Sequence, residues 1–275
     1  MDAVVDFGAF PGDVVAFGGA VSNAHAVSGM LADLALRGLA GLPMVSTGDH
    51  CAYCAEPMRT LALLRGAGMH SIAGNCEESL GAGGDDCGCG FVPGTACDLA
   101  SGAWFSHAAS EVDDAARAWM RGLPRLAVFR AHGRRWGVLH GGASAVNRYL
   151  WPVDPDAMLR DEIALLERAA GRVDAVLAGH CGLPFTREID GRLWLNTGAL
   201  GMPPNDGDAR VSYAVIEAGA PRIIRFDYDW PGAQAAMHAA GLTQGYDRCL
   251  ETGWWPSEDV LPAALRRGAR RVLSD

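Results

Sequence analysis

The sequence predicts an α/β fold that carries its working groups at the C-terminal ends of strands. Short apolar runs alternate with stretches of helical spacing through the first two-thirds of the chain. Four of those runs end in a glycine beside a polar residue: Gly48-Asp49, Gly74-Asn75, His140-Gly141 and Gly179-His180. Strand-like runs then dominate, with Asp190-Gly191 between two of them as a hairpin signal.

In chain order, Val14 to Phe17 is an apolar strand closing on Gly18-Gly19, and Ala24 to Arg37 spaces Val27, Met30, Leu31 and Leu34 along one helical face. Pro43 to Ser46 leads into Thr47-Gly48-Asp49. Pro57 opens a helix over Met58 to Arg65, with Leu61 and Leu64 together. His70 to Ala73 runs into Gly74-Asn75-Cys76-Glu77. Residues 81–103 are rich in Gly and Cys without any period and predict a long loop insertion. Glu111 to Arg121 reads as a helix. Arg125 to Arg130 and Trp136 to Leu139 read as paired strands around Gly133, the second ending in His140-Gly141-Gly142. Asp156 to Ala170 is the most amphipathic helix, and Ala175 to Ala178 is a strand ending in Gly179-His180-Cys181-Gly182. Phe185 to Ile189, Leu193 to Leu195, Val211 to Glu217 and Arg222 to Tyr228 are strands. Residues 231–275 predict a helical C-terminal extension with Trp254-Trp255-Pro256 as a packing element. With no internal repeat and no linker, residues 1–275 read as one domain.

Composition narrows the function classes. At 275 residues and 49% hydrophobic content, the chain can bury a large core, and 20% charged residues argue against disorder. The formal net charge of -9 lacks the basic face that duplex nucleic acid requires. All 23 cationic residues are arginine, which reads as the codon bias of a GC-rich genome. The pairs Arg134-Arg135, Arg266-Arg267 and Arg270-Arg271 are too short to form a basic face, and the last two fit the solvated final turns of a helix. No apolar run reaches the roughly 18 residues of a membrane span. The opening residues Met1 to Asp13 carry acids and no positive n-region, so they are no secretory signal, and a cytoplasmic location is expected. In a reducing cytosol, metal or free-thiol roles for the eight cysteines rank ahead of bridges.

Asp49, Asn75, His140 and His180 carry the chemistry. Strand ends converge on one edge of a sheet, so these four side chains are expected to meet. One carboxylate, one amide oxygen and two imidazoles suit Mn, Fe, Zn or Ni. Taken singly, each has a plain reading as a turn residue or a satisfied polar group; their shared local setting raises the metal reading.

In this order the segments resemble diverged bacterial members of the calcineurin-like metallophosphoesterases, whose pattern runs GD, GN(C/H)(D/E), HG, GHxH. The chain has Gly48-Asp49, Gly74-Asn75-Cys76-Glu77, His140-Gly141 and Gly179-His180. Asp49 to Pro57, Leu183-Pro184-Phe185, Leu195 to Ala199 and Gly201-Met202-Pro203 resemble further family segments, so the likeness spans roughly residues 14–230. The resemblance implies a four-layer αββα sandwich of the metallo-dependent phosphatase type, a metal site and phosphoester hydrolysis. It also exposes three departures. The family's D-x-H falls on Gly19 and Val21, and the last His of GHxH on Gly182. All three losses strike one metal, while the other metal's ligands, Asp49, Asn75, His140 and His180, are complete. One divalent ion per chain is therefore expected.

Several roles stay open at this level. Asn75 and Glu77 are candidates for the catalytic groups, Glu77 as acid/base or to orient a ligand, with a plain solvated role equally open. Ser22, Asn23 and Cys76 are candidates to contact a substrate, although Ser22 or Asn23 also suits a helix cap. The expected partner is a small phosphorylated substrate or nucleotide, with no duplex and no membrane, and homo-oligomers are left open. The leading reading is an active metal-dependent phosphoesterase. The alternatives are an inactive relative that binds a metal or phosphorylated ligand as sensor or scaffold, and a redox or zinc-handling protein using Cys87, Cys89 and Cys97.

Overall fold

A computed structural model describes residues 4–272. The side chains of Arg270 to Val272 lie outside the described residues, as do Met1 to Ala3, so the expectations for Arg270-Arg271 and for the first residues are not taken further.

Two sheets face each other. The first is six-stranded in the order β1(Val4–Phe10), β5(Leu126–Ala131), β6(Arg134–Val138), β7(Ala175–Ala178), β9(Arg192–Thr197), β8(Pro184–Ile189). The second is five-stranded in the order β11(Ala220–Phe226), β10(Val211–Glu217), β2(Val14–Phe17), β3(Met44–Ser46), β4(His70–Ser71). β2, β3 and β4 run parallel, as do β6, β7 and β9, so each sheet sends a set of strand ends to one edge. Between the sheets lies a dry layer of Val14, Ala16, Val45, Phe129, Trp136, Val138, Leu177 and Ile216, all fully buried. The Phe129 and Trp136 rings stack there at 5.9 Å. The runs VVAF and AVLA lack alternation because both of their faces are covered.

Helices α1(Ala24–Leu36) and α2(Pro57–Gly66) cover the outer face of the second sheet through Met30, Leu34 and Leu64. Helix α6(Asp156–Ala170) covers the first sheet through Leu159, Ile163 and Leu166. The outcome is the expected sandwich of two sheets between helices. Three hairpins turn on residue pairs with positive φ: His132-Gly133, Asp190-Gly191 and Ala218-Gly219. This is the backbone that matches the twist of the flanking strands.

The structure adds one strand and corrects four expectations. The first strand, β1, was not anticipated: it is an edge strand with four exposed residues, three half-buried and none buried, so it presents neither a continuous apolar run nor a clean alternation. The predicted 81–103 loop is shorter at both ends. Helix α3(Asn75–Ala82) runs into it, and α4(Ala96–Glu111) begins inside it, capped by Thr95, whose hydroxyl accepts from the Asp98 amide. The predicted 111–121 helix is α5(Asp114–Arg121), separated from α4 by Val112 and the cap Asp113. The C-terminal extension is only partly helical. It holds α7(Trp230–Ala239), α8(Tyr246–Thr252), a 3-10 turn over Ala263–Leu265 and α9(Arg267–Val272), with an irregular stretch over 253–262. Arg267 is not a free solvated cation: its guanidinium sits 5.3 Å from the Trp254 ring centroid and pairs with Glu258. Helices α3, α4, α5, α7 and α8 share a further apolar cluster at the site end of the sandwich.

Candidate metal centre

The four glycine-flanked residues do meet. Asp49 lies beyond β3, Asn75 opens α3 after β4, His140 follows β6 and His180 follows β7. His140 Nε2 lies 3.1 Å from Asp49 Oδ2, 3.1 Å from Asn75 Oδ1 and 3.1 Å from His180 Nδ1. The ligand atoms of Asp49, His140 and His180 all fall within 4.8 Å of one another. Among the described residues this is the one grouping of three or more His, Cys, Asp or Glu side chains with that geometry.

Backbone held in uncommon conformations sets this convergence. Asp49 and His180 both have positive φ, +57° and +62°. Such conformations persist only where neighbours over-determine them. At Asp49 the neighbour is Glu77. Its fully buried carboxylate accepts from the Asp49 amide at 2.7 Å, the His50 amide at 2.7 Å and the Gly74 amide at 2.9 Å. The Asp49 carboxylate in turn accepts from the Cys76 amide at 3.1 Å. At His180, Asn196 holds the preceding turn by donating to Gly179 O at 2.7 Å and accepting from the Gly198 amide at 3.0 Å. The glycines serve close packing between segments: a Cβ on Gly74 would stand 2.2 Å from Asp49 Oδ1.

The donor set suits a cation. His140 Nδ1 donates to Thr47 O at 2.6 Å, which leaves Nε2 to face the site. Asn75 Nδ2 donates to Cys87 O at 2.8 Å, which turns Oδ1 inward. Four lone-pair atoms then crowd one small volume. A single proton on His140 Nε2 serves one of its three neighbours and leaves the others unanswered. Ligands at about 2.1 Å from a transition metal stand about 3 Å apart along an edge, which is the spacing found here. In the protein alone the charge divides unevenly. Burial pushes the Asp49 carboxyl up, but the charge and hydrogen bond of His140 outweigh it and hold the acid well below its usual range. Burial also opposes protonation of His140, and the Asp49 charge overrides it to raise that imidazole. His180 is pushed down to about 3, by burial first and then by the neighbouring His140 charge.

A cavity of about 70 Å³ opens over this cluster. That is room for a few waters. Its walls include Tyr53, Phe91, Tyr149, Tyr246 and Trp255, none of which the sequence pattern singled out for a site. Tyr149 packs on His180 at 4.3 Å between ring centroids and stacks on Trp151 at 5.2 Å. Gly19, Val21 and Gly182, the three departures, line the same cavity. A Cβ on Gly182 would stand 3.0 Å from the Trp255 ring, whose indole N–H donates to Pro203 O at 2.8 Å.

The other candidates lie behind the wall. Ser22, Asn23 and Cys76 are each about 1% exposed, and none lines the cavity. Ser22 Oγ accepts from the Ala52 amide, Asn23 Oδ1 caps α1 by accepting from Ala26, and Asn23 Nδ2 donates to Gly201 O. The expectation that these three meet a substrate therefore finds no open face, and the cap reading of Asn23 is the observed one. Of the roles open for Glu77, its three backbone bonds supply the orienting one, and its full burial overturns the solvated one. The cysteines also depart from expectation. Cys87 and Cys89 are joined in a disulfide, while Cys51, Cys54, Cys76, Cys97, Cys181 and Cys249 are free and buried. The bridge removes two of the three thiols of the zinc-handling reading.

Fold and site together define a two-sheet α/β protein with a metal-type ligand cluster at its strand ends. Residues 19–220 match the calcineurin-like phosphoesterase superfamily domain, and the chain belongs to that family. Among curated protein sequences none matches it. Its fold is similar to the crystal structure of a metallophosphoesterase from Sphaerobacter thermophilus, with 20% identity, TM-score 0.66, and 88% of this chain and 99% of that one covered. It is also similar to hypothetical protein PH1004 from Pyrococcus horikoshii OT3, at 13% identity and TM-score 0.72, with 88% and 98% covered. The family uses divalent metals. No helix of the described residues is long and apolar enough to cross a membrane.

Proposed function

We propose that this chain is a metal-dependent phosphoesterase that hydrolyses a small phosphate ester or nucleotide through a one-metal site. Asp49, Asn75, His140 and His180 would hold one divalent transition ion, Mn, Fe, Zn or Ni. The observation that carries the reading is the convergence of four lone-pair atoms on one point, with His140 Nε2 at 3.1 Å from each of the other three. When bound, such an ion polarises a phosphoryl oxygen and acidifies its water. The chain's own groups do the rest. Thr47 O fixes the His140 tautomer, Glu77 fixes the Asp49 backbone, and Tyr149 braces the His180 ring. Asn75 would present its amide oxygen to the ion, beside His140 Nε2. The aromatic walls keep bulk water from the reacting centre. The helices after residue 230 pack onto the same apolar cluster as α3 and α4, in keeping with one domain. Six free cysteines out of eight favour the cytosol.

Purified protein supplied with Mn should hydrolyse bis-p-nitrophenyl phosphate and carry about one ion per chain by elemental analysis. Asp49→Ala should remove both ion and turnover. Turnover unchanged by that substitution would defeat the metal reading. A second reading, a non-catalytic phosphate or metal binder, is favoured by Trp255 closing the wall at Gly182. Tight binding of the ion with no turnover across a panel of phosphate esters would select it.

A further inference from the structure

The walls of the cavity hold no arginine, and the chain has no lysine at all. Arg148, the arginine nearest in sequence to the wall residue Tyr149, turns its guanidinium to the buried Glu162 at 3.0 Å. The polar groups of the walls are the Asp49 carboxylate, the His140 and His180 imidazoles, the phenols of Tyr53, Tyr149 and Tyr246, and the Ser257 hydroxyl. A phenol carries no charge near neutral pH, so these three add none to the walls. Much of the remaining lining is apolar or aromatic, including Val21, Phe91, Met202, Trp255 and Val260.

From this we infer that the site selects a phosphodiester monoanion bearing an aromatic group and discriminates against phosphomonoester dianions. The inference rests on the one-metal reading above. Metal ligation requires an ionised carboxylate and neutral imidazoles. One divalent ion with Asp49, Asn75, His140 and His180 then leaves a net charge of +1. A diester anion cancels that charge. A monoester dianion overshoots it by one, in a cavity without a cationic side chain to answer. Doubling the ligand's charge doubles its attraction to the site but roughly quadruples its desolvation cost, which scales with the square of the charge. The aromatic walls supply stacking surface for the ester substituent. The departures strengthen the selection, because the cation that Gly19, Val21 and Gly182 no longer hold would have balanced a dianion.

The test pairs two ligands with unbreakable P–C bonds at a pH where their charges differ: methyl(phenyl)phosphinate, a monoanion, and phenylphosphonate, a dianion. Binding to the Mn-loaded protein is read by quenching of intrinsic tryptophan fluorescence. The phosphinate should bind at least about tenfold more tightly. Bis-p-nitrophenyl phosphate should likewise exceed p-nitrophenyl phosphate in kcat/KM by that factor or more. Ser257→Arg places a cation on the half-buried rim of the cavity. It should tighten phenylphosphonate several-fold and leave the phosphinate within twofold. Equal or tighter binding of phenylphosphonate to the unaltered protein overturns the inference, as does an arginine at 257 that shifts both ligands alike. Failure of the underlying reading looks different: no ion is retained, and Asp49→Ala changes neither binding nor turnover.

Discussion

Glu77 offers a sharp test of how the site is held. Its carboxylate is fully buried and accepts from three backbone amides, those of Asp49, His50 and Gly74. Glu77→Gln preserves shape but turns an NH2 group toward at least one of those N–H donors. A buried donor left without an acceptor costs about 1–3 kcal/mol, and the charge-assisted strength of the surviving bonds is lost as well. The expected destabilisation is about 2–4 kcal/mol, or about 4–12 °C in Tm for a chain of this size. A second effect separates a positioning role from a merely structural one. The Asp49 amide is tied to Glu77, and Asp49 sits at positive φ, so loosening that tie misplaces a ligand. Metal affinity should fall about 10–100-fold, the usual cost of removing a group that orients a ligand. Chemical unfolding in chelator gives the first number, and titration of Mn into the folded variant gives the second. A variant within 0.5 kcal/mol of the parent and unchanged in Mn affinity would refute the reasoning, because it would mean water answers those amides equally well.

Other substitutions probe neighbouring parts of the same architecture. Gly74→Ala brings a Cβ to 2.2 Å from Asp49 Oδ1, so bound metal should drop at least tenfold with the fold retained, as read by elemental analysis beside circular dichroism. Gly182→His restores the family's residue but meets Trp255 at 3.0 Å with φ at +73°. It should cost about 2 kcal/mol in urea unfolding and still yield no second ion, since Gly19 and Val21 remain. Asp33 accepts from Arg37 Nε at 2.7 Å and Tyr213 OH at 2.7 Å; burial opposes these bonds, yet together they hold its carboxyl below the usual range. The unfolded chain therefore binds a proton more readily at this position. The stabilisation is complete above the unfolded value near 4 and is lost as pH falls through the lower, folded value. Asp33→Asn should cost about 0.5–1 kcal/mol at pH 7, and its deficit against the parent should close by about pH 2–3.

How much of this was legible without coordinates depends on whether the controlling interactions are local. The buried strands at 14–17 and 175–178 and the helix over 156–170 announce themselves through continuous apolar runs and helical periodicity. The Asp190-Gly191 turn does so because its backbone conformation is chosen by those two residues. Asp49, Asn75, His140 and His180 could be picked out because each sits beside a glycine where a strand ends. The start of α4 carried a local signal too, Thr95 followed three residues later by Asp98, but the surrounding Gly and Cys content obscured it. Strand β1 left no such trace, because none of its residues is buried.

The sequence by itself determined the alternation of strands and helices and which residues form the candidate metal cluster, because each is written in residue type and spacing. Only the tertiary structure decided that Glu77 grips backbone, that Ser22, Asn23 and Cys76 lie behind the cavity wall, and that Trp255 closes on Gly182 across 73 residues of chain. Those outcomes depend on which surfaces meet when distant segments pack, and that is set by the summed shape and burial of the two sheets and their helices.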